Sequence, residues 1–159
     1  MISKKVILTG SFGVGKTSLF NKFLYNRFSE KYLTTIGVKV DKKKITIDDK
    51  EISLMLWDIA GESSAVKIPK KYFAGAHGIL YVFDLTREET YLNIESDLFE
   101  INKTLKDCPL IVLANKSDLV EDSFIEDLRS KLSTNFKITS AKTGDHVEDS
   151  FLQLAKDML

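Results

Sequence analysis

The chain has 159 residues, the length of one domain, and its 23 basic side chains balance 23 acidic ones. A balanced field favours neither nucleic acid nor an anionic membrane as a partner, and no apolar run approaches the roughly eighteen residues of a membrane span. The lone Cys108 cannot form an internal disulfide, which suits a reducing cytosol, and it is expected to be a small buried or semi-buried apolar residue beside Pro109 rather than a catalytic thiol.

Residues 5–9 are predicted to form a buried strand, and residues 18–24 carry helical apolar spacing. Between them lies Gly10-Ser11-Phe12-Gly13-Val14-Gly15-Lys16-Thr17, the most informative segment of the chain. Its glycines let successive backbone N–H groups turn into one concavity. The helix start adds its unpaired N–H groups and partial positive charge. Gly13, Val14, Gly15, Lys16 and Ser18 are therefore candidate phosphate contacts, with the Lys16 ammonium in reach of the β- and γ-phosphates. The Thr17 hydroxyl is a candidate ligand of Mg²⁺. The loop that follows offers Phe28 as a ring face for a base and Thr35 as a second hydroxyl for Mg²⁺ when a γ-phosphate is present.

Residues 37–47 and 51–57 favour strand, and the turn Asp48-Asp49-Lys50 is tight enough to make them antiparallel. The second strand runs into Asp58-Ile59-Ala60-Gly61. In a phosphate-loop protein an acid at that point sits near Mg²⁺, usually through water. Gly61 is placed to meet the γ-phosphate through its N–H.

Residues 78–83 and 110–114 are nearly continuous apolar runs, as expected of central strands covered on both faces. Helices are expected over 88–106, 121–131 and 145–159, and a sixth strand over 135–139. This alternation predicts a mostly parallel sheet with helices on both faces and a ligand beyond the carboxyl ends of the strands.

At one such end stands Asn115-Lys116-Ser117-Asp118. The Asp118 carboxylate can accept hydrogen bonds from N1–H and the 2-amino group of guanine. Adenine offers neither donor, so discrimination can reach roughly ten-thousandfold. The Lys116 stem can lie along the sugar or base while its ammonium braces the phosphate loop, and Asn115 can tie the two loops together. After the last strand comes Ser140-Ala141-Lys142, where the Ala141 N–H can donate to guanine O6. His77 is expected to be a structural residue at a strand start, His146 an exposed residue at a helix start, and Lys42-Lys43-Lys44 a solvated strand face rather than an anionic-surface contact.

Together these five motifs resemble the Ras superfamily of small GTPases over nearly the whole chain. The stretch from Tyr32 to Val38, with Leu56-Trp57-Asp58 and Gly75-Ala76-His77-Gly78-Ile79, is most similar to the Rab branch. The resemblance implies the α/β phosphate-loop NTPase (small G-protein) fold over residues 1–159, with a six-stranded sheet carrying one antiparallel strand, and five helices. It implies a switch that binds GTP or GDP with Mg²⁺ and hydrolyses GTP. In that reading Lys16, Thr35, Gly61 and Glu62 form the catalytic set. Thr17, Thr35 and Asp58 serve the metal. Phe28, Asn115, Lys116, Asp118, Ser140, Ala141 and Lys142 surround the base. The loops from Phe28 to Val38 and from Ile59 to Phe73, with Trp57, would meet effector, exchange-factor and GTPase-activating proteins. Val40, Trp57 and Tyr72 fall where Rab-like proteins carry an aromatic-rich patch, with valine replacing the usual phenylalanine.

Two departures bear on turnover. Glu62 stands where the family usually has the glutamine that orients the attacking water. A carboxylate can accept a hydrogen bond from water, but it cannot donate to the γ-phosphate and its charge repels it. Phe12 occupies a position the family keeps small, where a benzyl group crowds the water-positioning side chain and any arginine brought by a partner. Slow hydrolysis is the expectation, with a hydrolysis-deficient, GTP-bound binding module as the alternative. The first residues carry no signal-peptide pattern or myristoylation glycine, and residues 155–159 hold no cysteine to prenylate. A cytoplasmic monomer is expected, with no intrinsic membrane anchor in this chain: either a lipidated tail has been trimmed or the protein never uses a lipid anchor.

Overall fold

Strand β1 (Ile2–Gly10) lies inside the sheet, with β3 (Lys50–Ile59) on one side and β4 (Gly78–Asp84) on the other. The structure, a computed structural model, describes residues 1–30, 37–60 and 69–159. In chain order the elements are β1, α1 (Lys16–Tyr25), β2 (Val38–Ile47), β3, β4, α2 (Ile94–Thr104), β5 (Leu110–Asn115), α3 (Asp122–Lys131), β6 (Lys137–Ile138) and α4 (Val147–Asp157). The sheet order is β2-β3-β1-β4-β5-β6; β2 pairs antiparallel with β3 and every other pair is parallel. The expected mostly parallel α/β sheet with one antiparallel strand is therefore present. No helix among the described residues is long and apolar enough to cross a membrane.

Side-chain alternation explains the two layers. On β4, Ile79, Tyr81 and Phe83 pack with residues of α2 and α3, whereas Leu80 and Val82 pack with α1 and α4. All seven residues of β4 are buried, as a central parallel strand requires. On the α1–α4 side the rings of Phe23 and Phe151 stack with centroids 4.0 Å apart. At the β2–β3 turn, Asp48 and Asp49 both take positive φ (48° and 65°), the backbone of a two-residue type I′ hairpin. That turn sets Ile47 opposite Lys50.

The helix expected over 88–106 is broken into two pieces. A short 3₁₀ turn covers Glu88–Thr90, and α2 begins only at Ile94. The cause is Thr90, a buried residue whose hydroxyl donates to the Arg87 carbonyl at 2.7 Å and accepts from the Asp84 N–H at 2.9 Å. Side-chain bonds of this kind compete with a continuing helix. The sixth strand is also shorter than expected, two residues in place of 135–139.

Candidate functional site

Beyond the carboxyl end of β1 the chain turns sharply at Gly10 (φ +143°), where a Cβ would lie 2.1 Å from the Val82 carbonyl oxygen. Gly15 (φ +103°) caps α1, and a Cβ there would meet the Asn115 amide nitrogen at 2.2 Å. Both glycines are thus required by close approach as well as by backbone conformation.

Lys16 opens α1 and folds back over the loop it follows. Its Nζ donates to the carbonyls of Gly10 (3.0 Å) and Ser11 (2.9 Å), and the residue is only 5% exposed. Burial lowers its pKa from 10.5 to about 8, with Asp58 opposing that shift and Arg87 adding to it. Beside it the Thr17 hydroxyl donates to Asp58 Oδ2 at 2.5 Å, and Asp58 is fully buried at the end of β3. A hydroxyl and a carboxylate brought together are oxygen donors of the kind that Mg²⁺ prefers.

The remaining carbonyls of the loop are held from outside. Arg87 Nη2 donates to Phe12 O at 2.6 Å, Lys116 Nζ to Gly13 O at 3.1 Å, and Asn115 Nδ2 to Val14 O at 3.0 Å. The Gly15 carbonyl accepts from the Leu19 N–H at 2.9 Å, the first turn of α1. Asn115 also accepts from the buried Thr139 hydroxyl at 3.1 Å, which ties β5 to the chain leaving β6.

The loops after β5 and β6 form the other end of the site. Ser140, buried, donates its hydroxyl to Asp118 Oδ1 at 2.8 Å and accepts from the Thr143 N–H at 3.1 Å. Asp118 itself is exposed. Lys142 pairs with Glu30 at 3.2 Å across the mouth. One cavity of about 380 Å³ joins both ends: Gly13, Lys16 and Thr17 line one side, and Phe28, Asp118 and Ala141 the other. Phe12, 48% exposed, also lines it.

Of the residues singled out from sequence, Gly13, Gly15, Lys16, Thr17, Ser18, Phe28, Asn115, Lys116, Asp118, Ala141 and Lys142 thus meet at this cavity. Val14 and Ser140 stand behind it. The Val14 side chain is in the α1–α4 core, and Ser140 acts on Asp118. Thr35, Gly61 and Glu62 lie outside the described residues. Val40 and Trp57 are cross-strand partners, with Lys5 Nζ 3.8 Å from the Trp57 ring centre, and Tyr72 is half-buried in the same apolar cluster as Trp57.

The structural readings of the remaining polar residues fit their places. The Lys5 N–H donates to His77 Nδ1 (2.9 Å) and the His77 N–H to Lys5 O (2.8 Å), binding β1 to the start of β4. His146 is exposed at the start of α4. Lys43 is tied to the Phe23 carbonyl at 2.7 Å and faces Glu148. Cys108 is half-buried, and desolvation raises its pKa, away from a reactive thiolate.

Among the described residues, Asp84 and Arg87 are charged groups of the site that stand in none of the sequence motifs. Asp84 is fully buried at the end of β4; its Oδ2 lies 2.8 Å from Lys116 Nζ and 3.4 Å from Arg87 Nε. The available signal was an acid closing a central apolar strand, the same placement that marked Asp58.

A phosphate loop between β1 and α1, on a sheet of this order, defines the phosphate-loop NTPase class of α/β proteins. The Ras family model matches residues 5–159. GTP-binding protein yptV2 of Volvox carteri is 35% identical over 162 residues, spanning 98% of this chain and 75% of the relative. The chain belongs to the Ras family and is Rab-like within it.

Proposed function

We propose that this protein is a guanine-nucleotide switch that binds GTP and GDP with Mg²⁺, hydrolyses GTP slowly, and offers its nucleotide-dependent loops to protein partners in the cytoplasm. The observation that carries this reading is the single cavity with phosphate-loop residues at one end and Asp118 and Ala141 at the other. A cavity lined by both sets of residues suits a base and a phosphate chain held at once. Family membership and the name of the Volvox carteri relative, a GTP-binding protein, point the same way.

In this reading Lys16 neutralises the β- and γ-phosphates, and the loop N–H groups and the start of α1 bind their oxygens. Thr17 would ligate Mg²⁺ and Asp58 would hold its water, and the ion would supply positive charge against the phosphate oxygens. Asp118 accepts both donors of the guanine edge while Ser140 fixes its carboxylate, and Phe28 covers the ring. The sequence assigns Thr35 to the metal, Gly61 to the γ-phosphate and Glu62 to the attacking water. The loops from Phe28 to Val38 and from Ile59 to Phe73, with Trp57, are the proposed contact surface for effectors, exchange factors and activating proteins.

Positioning and electrostatics without an added arginine give turnover of roughly 10⁻⁴ per second in this family. Phe12 exposed within the cavity favours a second reading, a GTP-bound binding module with little or no hydrolysis. Single-turnover conversion of bound GTP in the presence of Mg²⁺, with ATP as control, separates the two. GTP-specific formation of GDP supports the slow enzyme. Tight GTP binding without conversion over many hours supports the module. Equal handling of ATP and GTP contradicts both.

A further inference from the structure

The carbonyls from Gly10 to Gly15 each have a donor: Lys16 for the first two, then Arg87, Lys116, Asn115 and the Leu19 N–H. The peptide bonds are trans, so in each unit the C=O of one residue and the N–H of the next point in opposite directions. A donor that fixes a carbonyl on the outside of the loop therefore aims the following N–H the other way. For Phe12 that N–H belongs to Gly13, a residue of the cavity wall.

We propose that Arg87 is a positioning residue for the phosphates: oriented by Asp84, it holds the Phe12 carbonyl and so aims the Gly13 N–H at the bound anion. This rests on the nucleotide-binding reading above and extends it to a residue outside the five motifs.

Three observations support it. The Arg87 bond to Phe12 O is short, 2.6 Å, and comes from a charged donor, the stronger class of hydrogen bond. The arginine is held at both ends, since its own carbonyl accepts from the Thr90 N–H (3.0 Å) and hydroxyl (2.7 Å). Its Nε faces Asp84, whose other oxygen accepts from the Thr86 N–H (2.8 Å) and hydroxyl (2.6 Å). Asp84 is fully buried and also faces Lys116, the donor to the next carbonyl. One carboxylate therefore orients two cations that grip two successive peptide units.

The test compares wild type, Arg87→Ala and Arg87→Lys for dissociation of GDP in Mg²⁺, with the GDP-to-IDP affinity ratio as a base-side control and ¹⁵N-glycine spectra of the GDP complexes. Arg87→Ala is expected to speed GDP release about tenfold, the loss of a charged hydrogen bond weakened by partial exposure. It should leave the GDP-to-IDP ratio unchanged and move the Gly13 amide proton upfield. Arg87→Lys, keeping a charged donor, should restore part of the loss. Release within twofold of wild type, or faster release with the Gly13 amide unmoved and the base ratio altered, would overturn the proposal. Should Arg87→Ala not fold, Arg87→Lys and Arg87→Gln are ranked by the same readouts, and equal release from both overturns it. Failure of the wild-type protein to bind GDP would instead overturn the nucleotide-binding reading itself.

Discussion

The two ends of the cavity are built differently. At the phosphate end Lys16, Asp58, Asp84 and Asn115 are all buried, and each is held by neighbours from other elements. At the base end Asp118, Leu119, Phe28, Glu30 and Lys142 are exposed, and the pair Lys142–Glu30 sits in solvent. Folding alone thus organises the phosphate end, whereas burial at the base end is left to the ligand. Substitutions at the first should disturb fold and binding together, and those at the second binding or selectivity alone.

The largest separation of these effects is expected at Asp118. Asp118→Asn should lower GDP affinity on the order of a thousandfold and favour xanthine nucleotides, because the amide presents a donor where guanine also donates. Unfolding free energy should stay within about 0.5 kcal/mol of wild type by denaturant titration, since the side chain is exposed and an amide oxygen can still accept from Ser140. Asn115→Ala should behave in the opposite way. It strands the Val14 carbonyl and the buried Thr139 hydroxyl, and is expected to cost roughly 2–4 kcal/mol in the same titration.

Lys16 supplies a pH test of the phosphate end. Its pKa in the ligand-free fold lies near 8, and bound phosphates favour the charged form and raise it. Below about pH 8 the ammonium is already present, so affinity is full. As pH rises through that value binding must take up a proton, and GDP affinity should fall by at most about tenfold per pH unit. A flat profile from neutral pH to above pH 9 would contradict the combination of a depressed Lys16 pKa and direct phosphate contact. The smallest effect is expected at the cavity mouth. Glu30→Gln should change GDP release by less than about threefold, and the difference should vanish in about 0.5 M salt, because both partners of the pair are exposed.

This division also explains what was legible in the sequence. Lys16, Thr17, Asp58, Asn115 and Asp118 stand in short contiguous motifs at strand ends, and the parallel sheet brings those ends together. The alternating elements likewise carried the sheet and both layers. Arg87 was not legible, because its bond to Phe12 spans 75 positions and depends on the pairing of β1 with β4. The break before α2 was hidden for a related reason. Residues 88–106 have helical apolar spacing, and only the folded position of the Thr90 hydroxyl against Asp84 and Arg87 interrupts it.

The proposed property of the cavity is to read a guanine base and a phosphate chain at once. It is tested most directly by competition, with GDP and separately ADP displacing a fluorescent guanine nucleotide from the protein in Mg²⁺. ADP is expected to require at least roughly ten-thousandfold higher concentration than GDP. Displacement at comparable concentrations would contradict it.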